Sequence, residues 1–330
     1  MSYIESTKSY TGSELETVFF KPMLTGAAAE DLGIKVLYNM PVPTTIQLWS
    51  GKSDILQNNT GNGWSANSAN TRTQKEVEMK RVKAEMAFSA ADYFSLVFEN
   101  VTTNYNIDNL DDLTGTELEA AETELFRKSI AESLRATMWA GDTTLTSGLN
   151  TFDGFLKKIH DAVDDSEIIT RTFTKGTNTT PEYTQTLFAN LWDQATTTLK
   201  DAKGDGQLAI FVSSDIYTHY EMALDAVGAD GAYVDAQSGR QKLMYHGMEV
   251  IDLHVDSYIS ALDIPETFAF ITDKRNLVMV VNTADYPGSE IRMWYNPDEM
   301  QNRQRATFAV GCEVVDYDMV SHSEVFVLNA

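Results

Sequence analysis

The sequence predicts an α+β fold, and three observations carry that reading. Residues 114–140 repeat apolar side chains at three- and four-residue spacing, the mark of one long helix. Residues 44–88 alternate apolar and polar side chains with period two over much of their length, as half-buried strands do. Residues 185–299 intersperse amphipathic helices with short, wholly apolar segments that read as buried strands.

The first 35 residues are polar apart from Val18, Phe19, Phe20, Met23 and Leu24, and read as an extended arm with a short anchor. The segment 41–49 (PVPTTIQLW) reads as a strand opened by two prolines, which sheets accept at an edge or a first position. Gln57 to Thr73 is rich in Asn, Gly, Ser and Thr around Trp64, and Asn62-Gly63 is a strong two-residue hairpin signal. Val77 and Met79 then share one parity, whereas Val82, Ala84, Met86 and Phe88 share the other. The phase slips near Lys80-Arg81, and a β-bulge there would absorb it. Residues 44–88 are therefore expected to form one long β-hairpin, which should lie on something, since an isolated pair of strands is marginal in water.

In the long helix, Thr114 and Glu117 have the spacing of a capping box. Leu118, Ala121, Leu125, Phe126, Ile130, Leu134 and Met138 form the apolar stripe. Gly141 stands where a left-handed C-terminal residue is expected. At 1.5 Å per residue the helix would run about 40 Å, long enough to act as a spine. Leu187, Phe188, Leu191, Trp192, Ala195 and Leu199 predict the next amphipathic helix, and 201–206 a turn. A buried strand is expected at 207–212 (QLAIFV). Ser213, Ser214 and Asp215 then offer N-caps to a helix carrying Ile216, Tyr220, Ala223, Leu224 and Val227. Strands are expected at 241–246, 248–255, 267–272, 277–282, 289–295, 304–317 and 322–328, with His246-Gly247 and Asp273–Asn276 at turns.

The charge narrows the function. Asp and Glu number 48 against 25 Lys and Arg, a formal charge of −23. A sequence-specific nucleic-acid binder needs basic residues in excess to neutralise phosphates, so the charge argues against that class. The single Cys312 cannot form an internal disulfide, and its apolar surroundings (308–315) predict a buried, inert thiol. The polar, acidic N-terminus predicts no secretory signal, and no run of about 18 apolar residues predicts a membrane span.

Catalytic patterns do not emerge. The sequence has no G-x-S-x-G elbow and no H-E-x-x-H pair. Gly61-Asn-Gly63-Trp-Ser-Ala66 and Gly204-Asp-Gly206-Gln-Leu-Ala209 match G-x-G-x-x-A in letters only. The first lies in a polar hairpin, and the second precedes the strand that a dinucleotide fingerprint must follow. Asp201-x-Lys203-x-Asp205-Gly206 begins like a calcium loop but has Lys at the third position and Val212 at the twelfth. His160, His219, His246, His254 and His322 show no ligand spacing and read as turn and surface histidines. No catalytic, metal or cofactor-binding residue is predicted, and the chain is not expected to be an enzyme.

One charge asymmetry stands out. Residues 72–83 carry Arg72, Lys75, Lys80, Arg81 and Lys83 against Glu76 and Glu78. Residues 99–126 carry Glu99, Asp108, Asp111, Asp112, Glu117, Glu119, Glu122 and Glu124 with no basic residue among them. Either the two stretches face each other, or they are separate solvated faces.

The order of parts resembles the major capsid protein of tailed bacteriophages, the Hong-Kong-97-type capsid fold that encapsulins share. Specific stretches are similar: Thr151-Phe-Asp-Gly-Phe-Leu156 after the spine helix, and Phe211-Val-Ser-Ser-Asp-Ile-Tyr217 where a strand passes into a helix. So are Tyr245-His-Gly-Met-Glu-Val250, the strand pair Phe268-Ala-Phe-Ile-Thr-Asp273 and Asn276-Leu-Val-Met-Val-Val281, and Arg305-Ala-Thr-Phe-Ala-Val-Gly311. The resemblance implies an N-terminal arm (1–35), an extended β-hairpin loop (36–90), and a peripheral domain (91–184) built on the 114–140 helix. An axial domain (185–299) and returning peripheral strands (300–330) complete it.

The resemblance also implies a structural protein that self-assembles as hexamers and pentamers into an icosahedral capsid around double-stranded DNA. Such a protein belongs to the virion and is assembled in the host cytoplasm. Its partners would be neighbouring copies, together with separate scaffold, portal and decoration proteins, with no cofactor and no membrane. Contact with packaged DNA would be non-specific proximity. Some members begin with a scaffolding segment; here the arm starts at Met1, which implies a separate scaffold or none. Some members crosslink a hairpin Lys to a neighbour's Asn; Lys75, Lys80 and Asn302 are present, but no crosslink is predicted. The expected inter-subunit contact joins Arg72, Lys75, Lys80, Arg81 and Lys83, with Trp64 of the hairpin, to Asp111, Asp112, Glu117, Glu119, Glu122 and Glu124 of an adjacent copy. Two other readings remain: an encapsulin-type compartment around a cargo enzyme, and a soluble α/β enzyme built on 185–299.

Overall fold

Strand segments that are apolar at every position need cover on both faces, and here two sheets share one layer of side chains between them. The computed structural model describes residues 29, 31–40, 44–50, 71–89, 112–114, 117–165, 167–168, 173–174, 181–226, 243–259, 267–282 and 292–326. In chain order they form β1 (Lys35–Tyr38), β2 (Thr44–Ser50), β3 (Thr71–Val77), β4 (Lys80–Phe88), α1 (Glu117–Ala140), α2 (Phe155–Asp164) and β5 (Phe173–Thr174). Then come α3 (Pro181–Gln194), α4 (Thr197–Asp201), β6 (Leu208–Val212), α5 (Ser214–Ala226), β7 (Met244–Tyr245), β8 (Met248–Asp252) and α6 (Asp256–Ile259). The last are β9 (Thr267–Asp273), β10 (Leu277–Asn282), β11 (Arg292–Asn296), β12 (Gln301–Val314) and β13 (Val320–Phe326).

The first sheet is built on β12. β4 pairs along one of its edges, from Asn302↔Phe88 to Val310↔Lys80. β11 and β10 share the other edge end to end, from Arg292↔Arg305 and from Leu277↔Val314, and β1 adds to β10 in parallel. The second sheet has the order β5-β13-β9-β6-β8-β7. β2 and β3 form a separate two-stranded ribbon, from Thr44↔Val77 to Ser50↔Thr71.

Period-two alternation assigns the faces. In β6, Ala209 and Phe211 enter one core, whereas Leu208, Ile210 and Val212 enter another with α3, α4 and α5. β9 divides the same way, Phe268 and Phe270 against Ala269 and Ile271. The first core also takes Leu277 and Met279 of β10, Val310, Cys312 and Val314 of β12, and the end of α1. Trp139 sits at its centre, with ring centroids 5.3 Å from Phe155, 5.7 Å from Phe211 and 6.5 Å from Phe270.

Several expectations need correction. The single hairpin over 44–88 is two structures: β2 and β3 pair with each other, and β4 leaves to join β12. The phase slip is real, because Val77 and Met79 are buried, while Val82, Ala84, Met86 and Phe88 alternate with exposed neighbours on the opposite parity. It comes from the break at Glu78-Met79 between two sheets, not from a bulge, and both registers run without interruption. The long helix starts at Glu117, and Thr114 donates its backbone N–H and its hydroxyl to Asp112 Oδ1; the Glu117 side chain, and with it the expected capping box, lies outside the described residues.

Gly141 does not adopt positive φ. It is needed for room: a Cβ there would lie 2.2 Å from the Phe152 carbonyl oxygen and 2.5 Å from that of Thr137. Gly154 meets the same helix end and donates to the Gly141 carbonyl at 2.9 Å. The helix expected through Leu199 breaks at Thr196, whose extended backbone and hydroxyl, accepting from Leu199 N–H at 3.2 Å, start α4 afresh. The boundary expected at 299/300 is crossed by both sheets, since β10 and β11 pair with β12 while β13 pairs with β9.

Candidate assembly surface

The ribbon β2–β3 is rooted on the outer face of the first sheet, away from Trp139. Val77, Met79 and Ile46 pack there on Val278 and Val280 of β10 and Ala309 of β12. Close approach is possible because position 311 is glycine: a Cβ there would lie 2.3 Å from the Glu78 carbonyl oxygen. Two residues further along β12, the buried Glu313 carboxylate takes Lys75 Nζ of β3 at 3.2 Å on Oε1 and Lys158 Nζ of α2 at 2.9 Å on Oε2. Lys75 Nζ also donates to the Val314 carbonyl at 2.7 Å and lies 3.9 Å from the centre of the Tyr317 ring. Burial, then the negative charge of Glu313, push the Tyr317 hydroxyl far above its ordinary pKa.

Past the root, the same outer face opens to solvent. β4, β12 and β11 line a groove of about 400 Å³ with Glu85, Ala87, Arg303, Arg305 and Trp294, which is 43% exposed. Arg305 Nε lies 3.4 Å from Glu85, which also takes Lys83 at 2.8 Å. The opposite face of these strands packs toward α1: Asn302 Oδ1 accepts from Leu113 N–H, and Gln304 Nε2 donates to Thr123 Oγ1, both at 3.2 Å.

The spine helix is tied to the second sheet by a buried Arg135. Its guanidinium donates to the Leu253 carbonyl at 3.0 Å and to Glu132 at 2.7 Å, and Tyr258 donates to the same carboxylate at 2.6 Å. Burial opposes the Glu132 charge, but the hydrogen bonds from Arg135 and Tyr258 outweigh it and hold the carboxyl below its ordinary pKa.

The candidate contact residues divide. Lys80 bonds the exposed Glu78, Lys83 bonds Glu85, and Arg81 is exposed. Asp112 is exposed, Glu119 half-buried, and Glu124 pairs with Arg127 at 3.2 Å. Two residues are engaged within the chain itself: Lys75, half-buried, is held by Glu313, and Glu122 is 4% exposed. Trp64 and Asp111 lie outside the described residues, as do the side chains of Arg72 and Glu117.

Sequence reading missed Arg303, Arg305 and Trp294, although the same-parity arginines in QNRQRATF are a visible signal. It also missed Glu313, a lone acid inside the apolar run 308–315. His322 is another correction: it is buried beside Phe270, not on the surface, its Nδ1 has no hydrogen-bond partner among the described residues, and burial, with His160 adding to it, lowers its pKa to about 3. Cys312 is buried as expected, and burial raises its pKa far above the ordinary thiol value. Among the described residues, no group of His, Cys, Asp or Glu is arranged to hold a metal ion, and no helix is long and apolar enough to cross a membrane.

No family model and no curated protein matches the sequence. Solved structures do match. A chain of the satellite phage P4 procapsid including size determination (Sid) protein is 12% identical with a TM-score of 0.51, covering 89% of this chain and 94% of that one. The capsid of a native GTA particle is 12% identical with a TM-score of 0.53, covering 97% and 95%. The mature capsid of bacteriophage PhiM1 is 10% identical with a TM-score of 0.53, covering 98% and 92%. Likeness of this kind, end to end on both chains, shows a shared fold. The fold of this chain is a phage capsid-protein fold, and the expected α+β class is borne out.

Proposed function

We propose that the chain is the shell subunit of a phage capsid. Copies assemble as hexamers and pentamers into an icosahedral container for double-stranded DNA, within the host cytoplasm. The observation that carries this reading is the end-to-end likeness to capsid chains, with no large part left over on either side. The reading is of containment rather than turnover. A chain of charge −23 suits a wall that must not grip the DNA it encloses, with counterions between the two.

Copies meet through the basic stretch 72–83. Arg72 of the ribbon and Lys80, Arg81 and Lys83 at the start of β4 lie over the acidic start of the spine helix in an adjacent copy, at Asp111, Asp112, Glu117, Glu119 and Glu124. Exposed pairs of this kind contribute about 0–1 kcal/mol each, so they set register more than affinity.

Size-exclusion chromatography and electron microscopy of the purified protein test the shell. Megadalton closed particles are expected, and a monomer or small oligomer under all conditions would overturn it. Nuclease-protected DNA inside particles from infected cells supports the capsid reading, and protein cargo in its place would replace it with a compartment. The contact is tested separately with Lys80→Glu/Arg81→Glu: assembly should fall while the isolated fold keeps its stability. Unchanged assembly removes the contact and leaves the shell standing.

A further inference from the structure

A ribbon held at one point can swivel, whereas one held at two points along its length has a direction. The ribbon β2–β3 is held on β12 at two such points. At the first, the backbone of Glu78 presses on Gly311, where the absent side chain lets the two chains touch. At the second, Lys75, three residues earlier and about 10 Å along an extended strand, reaches Glu313, two residues further along β12. The apolar contacts of Val77 and Met79 lie between and beside these points, but apolar packing is non-directional and does not by itself fix an angle.

We propose that Glu313 is a positioning residue that sets the direction of the hairpin, acting through Lys75. The carboxylate is suited to this because its two oxygens are used separately. Oε2 is taken by Lys158 of α2, which anchors the carboxylate to the body of the fold, and Oε1 is left to face β3. Glu313 side-chain exposure is 6%, so its attraction for an ammonium is screened less than that of a surface pair. Lys75 reinforces the stop with the Val314 carbonyl and the Tyr317 ring. Its aliphatic stem supplies packing and its ammonium supplies direction. The positioning of the hairpin concerns the chain by itself; only its consequence, that neighbouring copies are engaged at the correct angle, rests on the shell reading.

The test is made on the full-length, unassembled chain. Spin labels are placed at Gln47→Cys on the ribbon and Asp225→Cys on α5, both exposed positions, while Cys312 is buried and hard to ionise and stays unlabelled. One narrow distance distribution is expected in the parent and in Lys75→Arg, which keeps the charge. Lys75→Met keeps the stem and loses the charge, and should broaden the distribution at least about twofold, as the loss of a charge-assisted hydrogen bond worth a factor of ten or more in equilibrium allows. Glu313→Gln should broaden it similarly, which covers the case in which one variant folds poorly. Lys158→Met leaves Lys75 its partner and should stay narrower than Lys75→Met. A Lys75→Met distribution as narrow as the parent's would overturn the proposal, and so would Lys158→Met broadening it as much. Particle geometry is then compared between Lys75→Met and Lys75→Arg. Normal particles from a broadened hairpin would remove the consequence for assembly without touching the latch.

Discussion

The two faces of the β12 sheet are built on different principles. The inner face meets the second sheet through Trp139, Phe155, Phe211 and Phe270, a buried cluster in which the three phenyl rings are tilted against the indole. The outer face is apolar only where the ribbon is rooted, and elsewhere carries Arg303, Arg305, Glu85 and an exposed Trp294. Burial therefore holds the inner face together, and its strength scales with area. The outer face is organised by a few placed charges and a glycine, which contribute direction rather than bulk stability. Substitutions should separate the two: the inner face answers in melting temperature, the outer face in geometry and association.

The largest effect belongs to Trp139→Ala. Removing a side chain that is 1% exposed at the junction of both sheets and α2 should cost about 3–5 kcal/mol, read from urea unfolding at constant slope. A loss below about 1 kcal/mol would mean that the two sheets do not depend on this layer. Next comes Gly141→Ala. Its Cβ has nowhere to go between the Phe152 and Thr137 carbonyls, and a cost of about 1–3 kcal/mol is expected by the same measurement. Gly148→Ala is a useful contrast: space is open there, and the cost comes only from its positive φ of 90°.

Much of this inner architecture was legible because alternation and burial report the same thing. β10 falls on the expected residues, and β6 and β9 differ from expectation by one, because strands buried on both faces are apolar at every position and bounded by turns. The His246-Gly247 turn was legible too, and both residues take positive φ as a two-residue hairpin needs. What the sequence could not show was which sheet a strand joins. β4 has the pattern of a hairpin arm but pairs with a strand more than two hundred residues away. Local periodicity carries no information on the partner, so the single hairpin failed. The assembly side was half legible. The basic run at 72–83 is plain in the sequence, but whether Lys75 points to a neighbour or to its own Glu313 depends on a fold-back that no spacing encodes.

The comparison also has a pH dimension, carried by the inner side. The buried His322 has its pKa lowered from 6.5 to about 3, so it stays neutral in the fold while the unfolded chain takes up a proton. Stability is therefore expected to fall as pH drops from about 6.5 toward 3, and His322→Leu should flatten that decline. Glu132 adds a second loss at lower pH. Its pKa is depressed in the fold, so its contribution is present above the ordinary carboxyl value and disappears as pH falls through the depressed one. Arg135→Met should remove that second component and leave the first. Unfolding free energies measured from pH 7 to pH 3 check both; a decline that His322→Leu leaves unaltered would assign the sensitivity elsewhere.

The smallest effect is expected on the outer face, and it is the one that tests the division most directly. Trp294 and Trp139 are the same residue type, on strand β11 and at the end of α1, yet one is 43% exposed and the other 1%. Trp294→Ser removes a ring that lies along an open groove beside Arg303, leaves no enclosed cavity, and exposes no buried polar group. The fold should change in stability by no more than about 0.5 kcal/mol, the range of ordinary surface substitutions. If urea unfolding instead gave a cost near that of Trp139→Ala, the groove would be part of the core and the outer face would share the inner face's principle. A neutral result accompanied by lower particle yield would place the function of Trp294 between copies, where the outer face has room to be used.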